Sequence, residues 1–198
     1  MMEPNDEDLE RFRGILKRKL SEKRFLHSCN VSDEAVKLAK LYGADVSRAR
    51  FAGLVHDVTK EEPVEAQLQT IAKYSIILDE VEKTAPKLLH AITGAAVLEH
   101  EYGVGDRDIL NAVRYHTTAR AGMSLLEKIL YLADYISAER DYEGVDGLRR
   151  AIYTSLDTGM NATLDFSVAE LLGKGVPIHL DTVRARNEQI LSGRAKRA

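Results

Sequence analysis

Cysteine is almost missing from this chain of 198 residues, where Cys29 stands alone. One thiol closes no internal disulfide, and it cannot build a thiolate-rich zinc site. Long apolar runs are missing too: none approaches the roughly 20 residues that a membrane-spanning helix needs. The opening MMEPNDEDLE is acidic and lacks the apolar stretch of a secretory signal. There is no basic excess, because the formal charge is -3, and a nucleic-acid platform needs a cationic face. Gly/Ser/Pro-rich linkers, low-complexity segments and internal repeats are also absent. These absences lead us to expect one domain over residues 1–198, in the cytoplasm, with neither nucleic acid nor membrane as partner. A compact cationic pocket for a small anion stays open, since net charge does not see pockets.

What is present is a balance of 44% apolar and 30% charged residues, that of a globular chain able to bury a core. Its punctuation predicts an all-α fold. Leu9, Phe12, Leu16 and Leu20 recur at helical spacing from Asn5, a candidate N-cap. A second helix spans Glu22 to Tyr42 and stops at Gly43, a third starts near Ser47 and reaches His56–Asp57, and a weaker one covers Glu62 to Tyr74. Pro86 opens a helix to Glu101, Asp106 caps one to His116, and Ser124 with Glu127 forms a capping box ahead of Lys128–Ser137. Two helices, Leu148–Gly159 and Leu164–Leu172, and a short one after Asp181–Thr182 complete the expectation. The β-branched run Ile76–Ile77–Leu78 has no partner strand.

The functional signal is polar chemistry on apolar faces. His27 shares a stripe with Val31, Ala35, Leu38 and Tyr42; His56 follows Ala49 and Ala52, with Asp57 next to it; His116 follows Ile109 and Val113. Asp134 lies on the face of Leu126 and Leu130, at successive steps of four. A buried carboxylate is costly unless paired or bound to a metal, and for Asp134 taken alone an ion pair with Arg or Lys is the more ordinary explanation. Any one of His27, His56, His90 or His116 is likewise more often a core or surface side chain than a ligand. Four inward histidines together with two carboxylates are harder to explain one by one, and imidazole with carboxylate suits iron, manganese or zinc. His100 and His179 lack this placement and are expected on a helix surface and in a turn. Lys60, Thr117, Thr118, Arg120, Arg140 and Asp141 follow the same segments, where cations would meet a bound phosphate; for Arg120 and Arg140 solvated surface is an equal alternative.

In the order H…HD…H…H…D, His27, His56, Asp57 and Asp134 resemble the ligands of the HD superfamily, mostly metal-dependent phosphohydrolases. The strings AGLVHDVTK, LLHAITGA, VRYHTT, MSLLEKILYLADYI with ERDYEGVD, and GVPIHLDTVRARN are similar to the YqeK-type bacterial symmetrical bis(5'-nucleosyl)-tetraphosphatase family. The resemblance runs from about residue 10 to residue 191 and implies an HD-domain helical bundle. It implies an iron site, expected dinuclear, with manganese or another divalent metal as alternatives. His27, His56, Asp57 and Asp134 would hold one metal, and Asp57 would bridge to a second held by His90 and His116. The implied reaction is hydrolysis of diadenosine tetraphosphate at its central anhydride to two ADP, by attack of metal-held hydroxide. Asp57, Lys60 and His116 would act in catalysis, and Lys60, His90, His116, Thr117, Thr118, Arg120, Arg140 and Asp141 would meet the nucleotide. The chain departs from the family pattern at Asn30, where glycine or arginine is commoner, at Ala119, where glycine is usual, and at Ser137–Ala138–Glu139, where Glu-Pro is usual.

Other readings stay open at this point. The same ligand set serves hydrolases of guanosine alarmones, deoxynucleotides and nucleoside monophosphates. It also occurs in a di-iron oxygenase and in non-catalytic regulatory modules. The charged face of the first helix suits a monomer or a homodimer.

Overall fold

Asn5 starts the first helix by a reciprocal cap: its side chain accepts from the Asp8 amide while the Asp8 carboxylate accepts from the Asn5 amide. In the computed structural model, which describes residues 5–195, this helix is α1 (Asp6–Lys19), and it buries Leu9, Phe12 and Leu16. It is followed by α2 (Glu22–Tyr42), α3 (Val46–Val55), α4 (Val64–Lys73), α5 (Glu80–Thr84) and, after a 3₁₀ turn at Pro86–Leu88, α6 (Leu89–His100). Next come α7 (Arg107–Tyr115), α8 (Leu125–Ile136), α9 (Val145–Thr154), α10 (Leu156–Gly173) and α11 (Leu180–Ala195). No strand occurs among the described residues, so the fold is all-α. Residues 1–4 and 196–198 of the expected domain span lie outside the described ones.

The caps explain where expectation and structure differ. Asp45, rather than Ser47, caps α3 by accepting from the Arg48 amide. Asp79 and Glu82 form a capping box that starts α5, a helix the apolar pattern does not suggest. The break in the C-terminal half falls at Ser155, which is fully extended and caps α10, instead of after Gly159. Gly159 is not a terminator but a contact: a Cβ there would sit 2.8 Å from Ile152 Cα, so its hydrogen lets α9 and α10 touch. The last helix is longer than expected, running from Leu180 to Ala195.

Three helices position the site. α8 is the centre of the core, burying Leu126, Ile129, Leu130, Tyr131, Leu132, Ala133 and Ile136 against α2, α7 and α9. α2 and α3 meet almost backbone to backbone at Gly53, where a Cβ would lie 2.6 Å from Ser32 Cα. Ser32 Oγ donates to the Arg50 carbonyl at 2.7 Å and closes the same seam. That approach brings the start of α2, with His27, against the end of α3, with His56.

Candidate metal centre

Five helices deliver their polar residues to one point. His27 comes from α2, His56 and Asp57 from the end of α3, His90 from the first turn of α6, His116 from the end of α7 and Asp134 from the last turn of α8. The four imidazoles and Asp57 are buried, and the Asp134 side chain is 17% exposed at the edge of an open pocket. The rings contact edge to face, with centroids 5.2 Å apart for His27–His56 and 5.0 Å for both His56–His116 and His90–His116.

Backbone carbonyls orient two of these rings. His56 Nδ1 donates to the Gly53 carbonyl at 2.8 Å and His116 Nδ1 to the Val113 carbonyl at 2.7 Å, so each Nε2 faces the cluster with its lone pair. Asp57 lies between two pairs of rings. Its Oδ2 is 3.4 Å from His56 Nε2 and 3.7 Å from His27 Nε2, while Oδ1 is 3.2 Å from His90 Nε2 and 3.7 Å from His116 Nε2. Asp57 Oδ1, His56 Nε2 and His27 Nε2 are buried with no hydrogen-bond partner. Native interiors rarely leave such atoms unsatisfied, and lone pairs converging on one another repel unless a cation lies between them. The residues present fit a divalent metal, and the groups His27–His56–Asp134 and His56–Asp57–His116 each bring their ligand atoms within 4.8 Å of one another.

Charge follows the same pattern. Although burial opposes ionisation, the surrounding imidazoles, His56 foremost, hold the Asp57 carboxyl well below the usual range; the close approach of His27 does the same for Asp134. Burial favours neutral His27, but Asp134 and Glu139 outweigh it and raise its pKa to about 9. His90 is driven the other way, to about 4, chiefly by burial, with His116 and Lys60 close beside it adding to the effect. Lys60 is likewise pushed down by burial, and its Nζ lies 3.1 Å from His90 Nε2. Thr59 donates to the His90 carbonyl at 2.9 Å and ties the turn bearing Asp57 and Lys60 to α6.

A cavity of about 610 Å³ opens onto this cluster. Lys60, His116, Thr117, Asp134 and Arg140 line it, and Lys87, Tyr135, Tyr142 and Phe166 complete its walls with Glu143 and Glu170. Arg140 is held by Asp134 at 2.5 Å, so the ion-pair explanation of Asp134 holds alongside its place in the cluster.

Four expected nucleotide contacts do not line this cavity, and one of them, His90, is buried among the cluster histidines instead. Arg120 is clamped by the buried Glu127 carboxylate at 2.6 and 3.0 Å, because that carboxylate needs a cation. The Thr118 hydroxyl is buried against the Ala119 carbonyl, and the Thr118 carbonyl receives Thr182 from α11. Asp141 is exposed beside the pocket loop. The glycine usual at position 119 also finds its reason here: Ala119 has φ 56, a left-handed conformation that costs a side-chain-bearing residue about 1–2 kcal/mol.

Sequence reasoning missed Arg24, whose Nη1 meets Asp57 Oδ2 at 2.9 Å. It stands one turn before His27 on the same helix face, a spacing that could have flagged it. Glu139, bonded to His27 Nδ1, stands out in the sequence only as a departure from the family pattern. His100 is exposed and stacks on Tyr74, as expected of a helix surface. His179 does lie outside the helices but is buried, with Nε2 2.9 Å from Asp79 and 3.7 Å from Glu82. Its Nδ1 accepts from the Asp181 amide, so Nε2 carries the hydrogen and faces carboxylates as a donor.

The HD domain family model matches residues 24–139, a span that contains every residue of the cluster. The chain belongs to the HD domain family. It is 38% identical to the symmetrical bis(5'-nucleosyl)-tetraphosphatase of Bacillus subtilis (strain 168), over 88% of this chain and 93% of that one. It is 37% identical to the enzyme of the same name from Halalkalibacterium halodurans, over 89% and 94%. It therefore falls within the symmetrical bis(5'-nucleosyl)-tetraphosphatase family as well. Among solved structures it matches a predicted HD superfamily hydrolase involved in NAD metabolism from Clostridium acetobutylicum. The TM-score is 0.89 at 38% identity, covering 93% of this chain and 97% of that one. Residues that bind divalent metals and an enzyme that depends on them follow from membership in the HD family.

Proposed function

We propose that this chain hydrolyses diadenosine tetraphosphate symmetrically to two ADP in the cytoplasm, with His27, His56, Asp57 and Asp134 holding one iron ion and Asp57, His90 and His116 a second. The observation that carries the two-metal reading is the double-faced Asp57: Oδ2 toward His27 and His56, Oδ1 toward His90 and His116, with acceptor atoms left unpartnered in the interior. The names of the relatives support the substrate. When bound, a divalent pair lowers the pKa of coordinated water and neutralises phosphoryl charge.

The chain's own residues do the rest. Lys60, Arg24 and Arg140 oppose Asp57, Asp134 and Glu139 in formal charge, so the site without metal is close to balanced and a divalent pair makes it attract a polyphosphate. Lys60 sits in the pocket wall beside His90, where its ammonium can bind the phosphoryl oxygens as their charge grows. Arg140, fixed by Asp134, offers its remaining donors to the neighbouring phosphate, and Lys87 adds a third cation to the wall. Thr117 provides a neutral hydroxyl in the same wall.

Tyr142 and Phe166, with centroids 5.4 Å apart, form an aromatic surface at the α10 side of the pocket on which a nucleobase can stack. Glu143 and Glu170 lie on that wall, where carboxylates accept from base or ribose and repel phosphate, so the substrate is oriented with its phosphates toward the histidines. The cavity volume falls within the range of roughly 300–1,000 Å³ typical of small-molecule sites.

The test is anaerobic incubation with iron(II) and diadenosine tetraphosphate, with products separated by ion-exchange chromatography. ADP as sole product is expected. AMP with ATP would refute central cleavage, and no turnover by metal-loaded protein would refute the substrate.

A further inference from the structure

The last turn of α8 and the segment that follows it grip His27 from both sides. Asp134 Oδ1 approaches Nε2 at 3.1 Å, misaligned for a hydrogen bond, while Glu139 Oε1 accepts from Nδ1 on the far edge of the ring. Glu139 is itself held by two donors. Ser137 Oγ meets Oε1 at 2.8 Å, and Asn30 Nδ2, one turn along α2 from His27, meets Oε2 at 2.7 Å. The next residue, Arg140, returns to Asp134 through both its carbonyl and its carboxylate. Residues 134–140 and α2 are thereby locked around a single imidazole.

His56 and His116 receive the corresponding Nδ1 acceptor from the carbonyl three residues earlier in their own helices. His27 lies in the first turns of α2 and takes a side-chain carboxylate from a distant loop. A carboxylate is a stronger acceptor than a carbonyl. It fixes the hydrogen on Nδ1, aims the Nε2 lone pair at the cluster and makes that nitrogen a better donor to a cation.

We infer that Glu139, steadied by Asn30 and Ser137, is a positioning residue that sets the tautomer and orientation of His27 toward the metal. The inference rests on the reading of His27 as a ligand. Because Glu139 lies on the outer side of the ring and its side chain is 30% exposed, it acts through His27 rather than on substrate.

The experiment measures iron(II) affinity and stoichiometry anaerobically in the wild-type chain and in Glu139→Ala, Glu139→Gln, Asn30→Ala and His27→Ala. Urea unfolding of the metal-free forms and steady-state kinetics accompany it. Glu139→Ala is expected to weaken iron binding about 10–100-fold. Its kcat should recover at saturating iron(II), with KM for the dinucleotide unchanged. Glu139→Gln keeps an acceptor for Nδ1–H and should regain most of the loss, and Asn30→Ala should lose less than Glu139→Ala. If Glu139→Ala instead unfolds earlier in urea but binds iron like wild type, its role is structural and the inference fails. If His27→Ala loses metal and Glu139→Ala does not, the role of Glu139 alone is overturned. A wild-type chain that binds no divalent metal overturns the ligand reading of His27 and this inference with it.

Discussion

Gly53→Ala separates the fold from the site. In an open helix interior, replacing glycine by alanine stabilises by about 1 kcal/mol, because alanine loses less backbone entropy on folding. At Gly53 the added Cβ would stand 2.6 Å from Ser32 Cα, 2.9 Å from Ser32 N and 3.0 Å from the Val31 carbonyl, all backbone atoms that cannot rotate away. Ordinary carbon contacts lie at about 3.5–4.0 Å, so α2 and α3 must part by roughly 1 Å. Overpacking of this kind costs about 1–3 kcal/mol, which exceeds the propensity gain. A net loss of about 1–2 kcal/mol is expected, visible as a lower urea midpoint with unchanged slope. Activity should suffer more than stability. His27 and His56 flank this seam, and a displacement near 1 Å at a reacting centre can cost on the order of 10²-fold in rate. Gly14→Ala in α1 is the control: its Cβ would meet only the Arg18 guanidinium, at 3.6 Å, so a gain of up to about 1 kcal/mol is expected with turnover unchanged. If Gly53→Ala were as stable as Gly14→Ala and turned over like wild type, the seam would not be what sets the spacing of the histidines.

Asp57→Ala removes the carboxylate shared by both ring pairs, so metal content and turnover should vanish together; retained metal with full activity would remove Asp57 from the centre. Lys60→Ala should keep its metal and lose kcat by about 10²–10³-fold, as when an electrostatic transition-state contact is deleted, and an unchanged kcat would assign Lys60 to structure. Arg120→Ala leaves the Glu127 carboxylate buried without its cation and should cost about 1–3 kcal/mol in denaturant unfolding. Its activity per folded molecule should persist; lost turnover at full stability would return Arg120 to the substrate. In the metal-free protein, the His27 pKa is raised from 6.5 to about 9. Its contribution is therefore complete below pH 6.5 and is lost as pH rises toward 9, a decline of a few kcal/mol at about 1.4 kcal/mol for each pH unit crossed. Thermal unfolding between pH 6 and 9 should show that decline in wild type but not in His27→Gln; identical profiles would exclude His27 as its source.

Much of this protein is legible in one dimension, because helices announce themselves locally. Asn5, Ser124 with Glu127, and Asp106 are caps whose partners lie within a turn, and all three begin helices where the sequence places them. Apolar spacing put His27, His56, His116 and Asp134 on inward faces; the three histidines are buried there, and Asp134 stands at the pocket edge. Spacing says nothing about which inward faces meet, and the family resemblance supplied that grouping. Tertiary packing decided what local rules could not weigh. Gly159 has the character of a terminator, yet it became a helix crossing because Ile152 lies against it. Arg120 follows the segment of His116 in sequence, but the buried Glu127 outcompetes the pocket for its guanidinium. The Asn30–Glu139 bond spans 109 positions, and the Arg24–Asp57 bond spans 33. The sequence by itself determined the helices, their inward faces and the chemistry those faces carry, since each depends on neighbours a turn or two away. Only the tertiary structure decided that Asp57 turns one oxygen to each pair of rings and that Glu139 fixes His27, since both depend on the close approach of α2, α3 and α8.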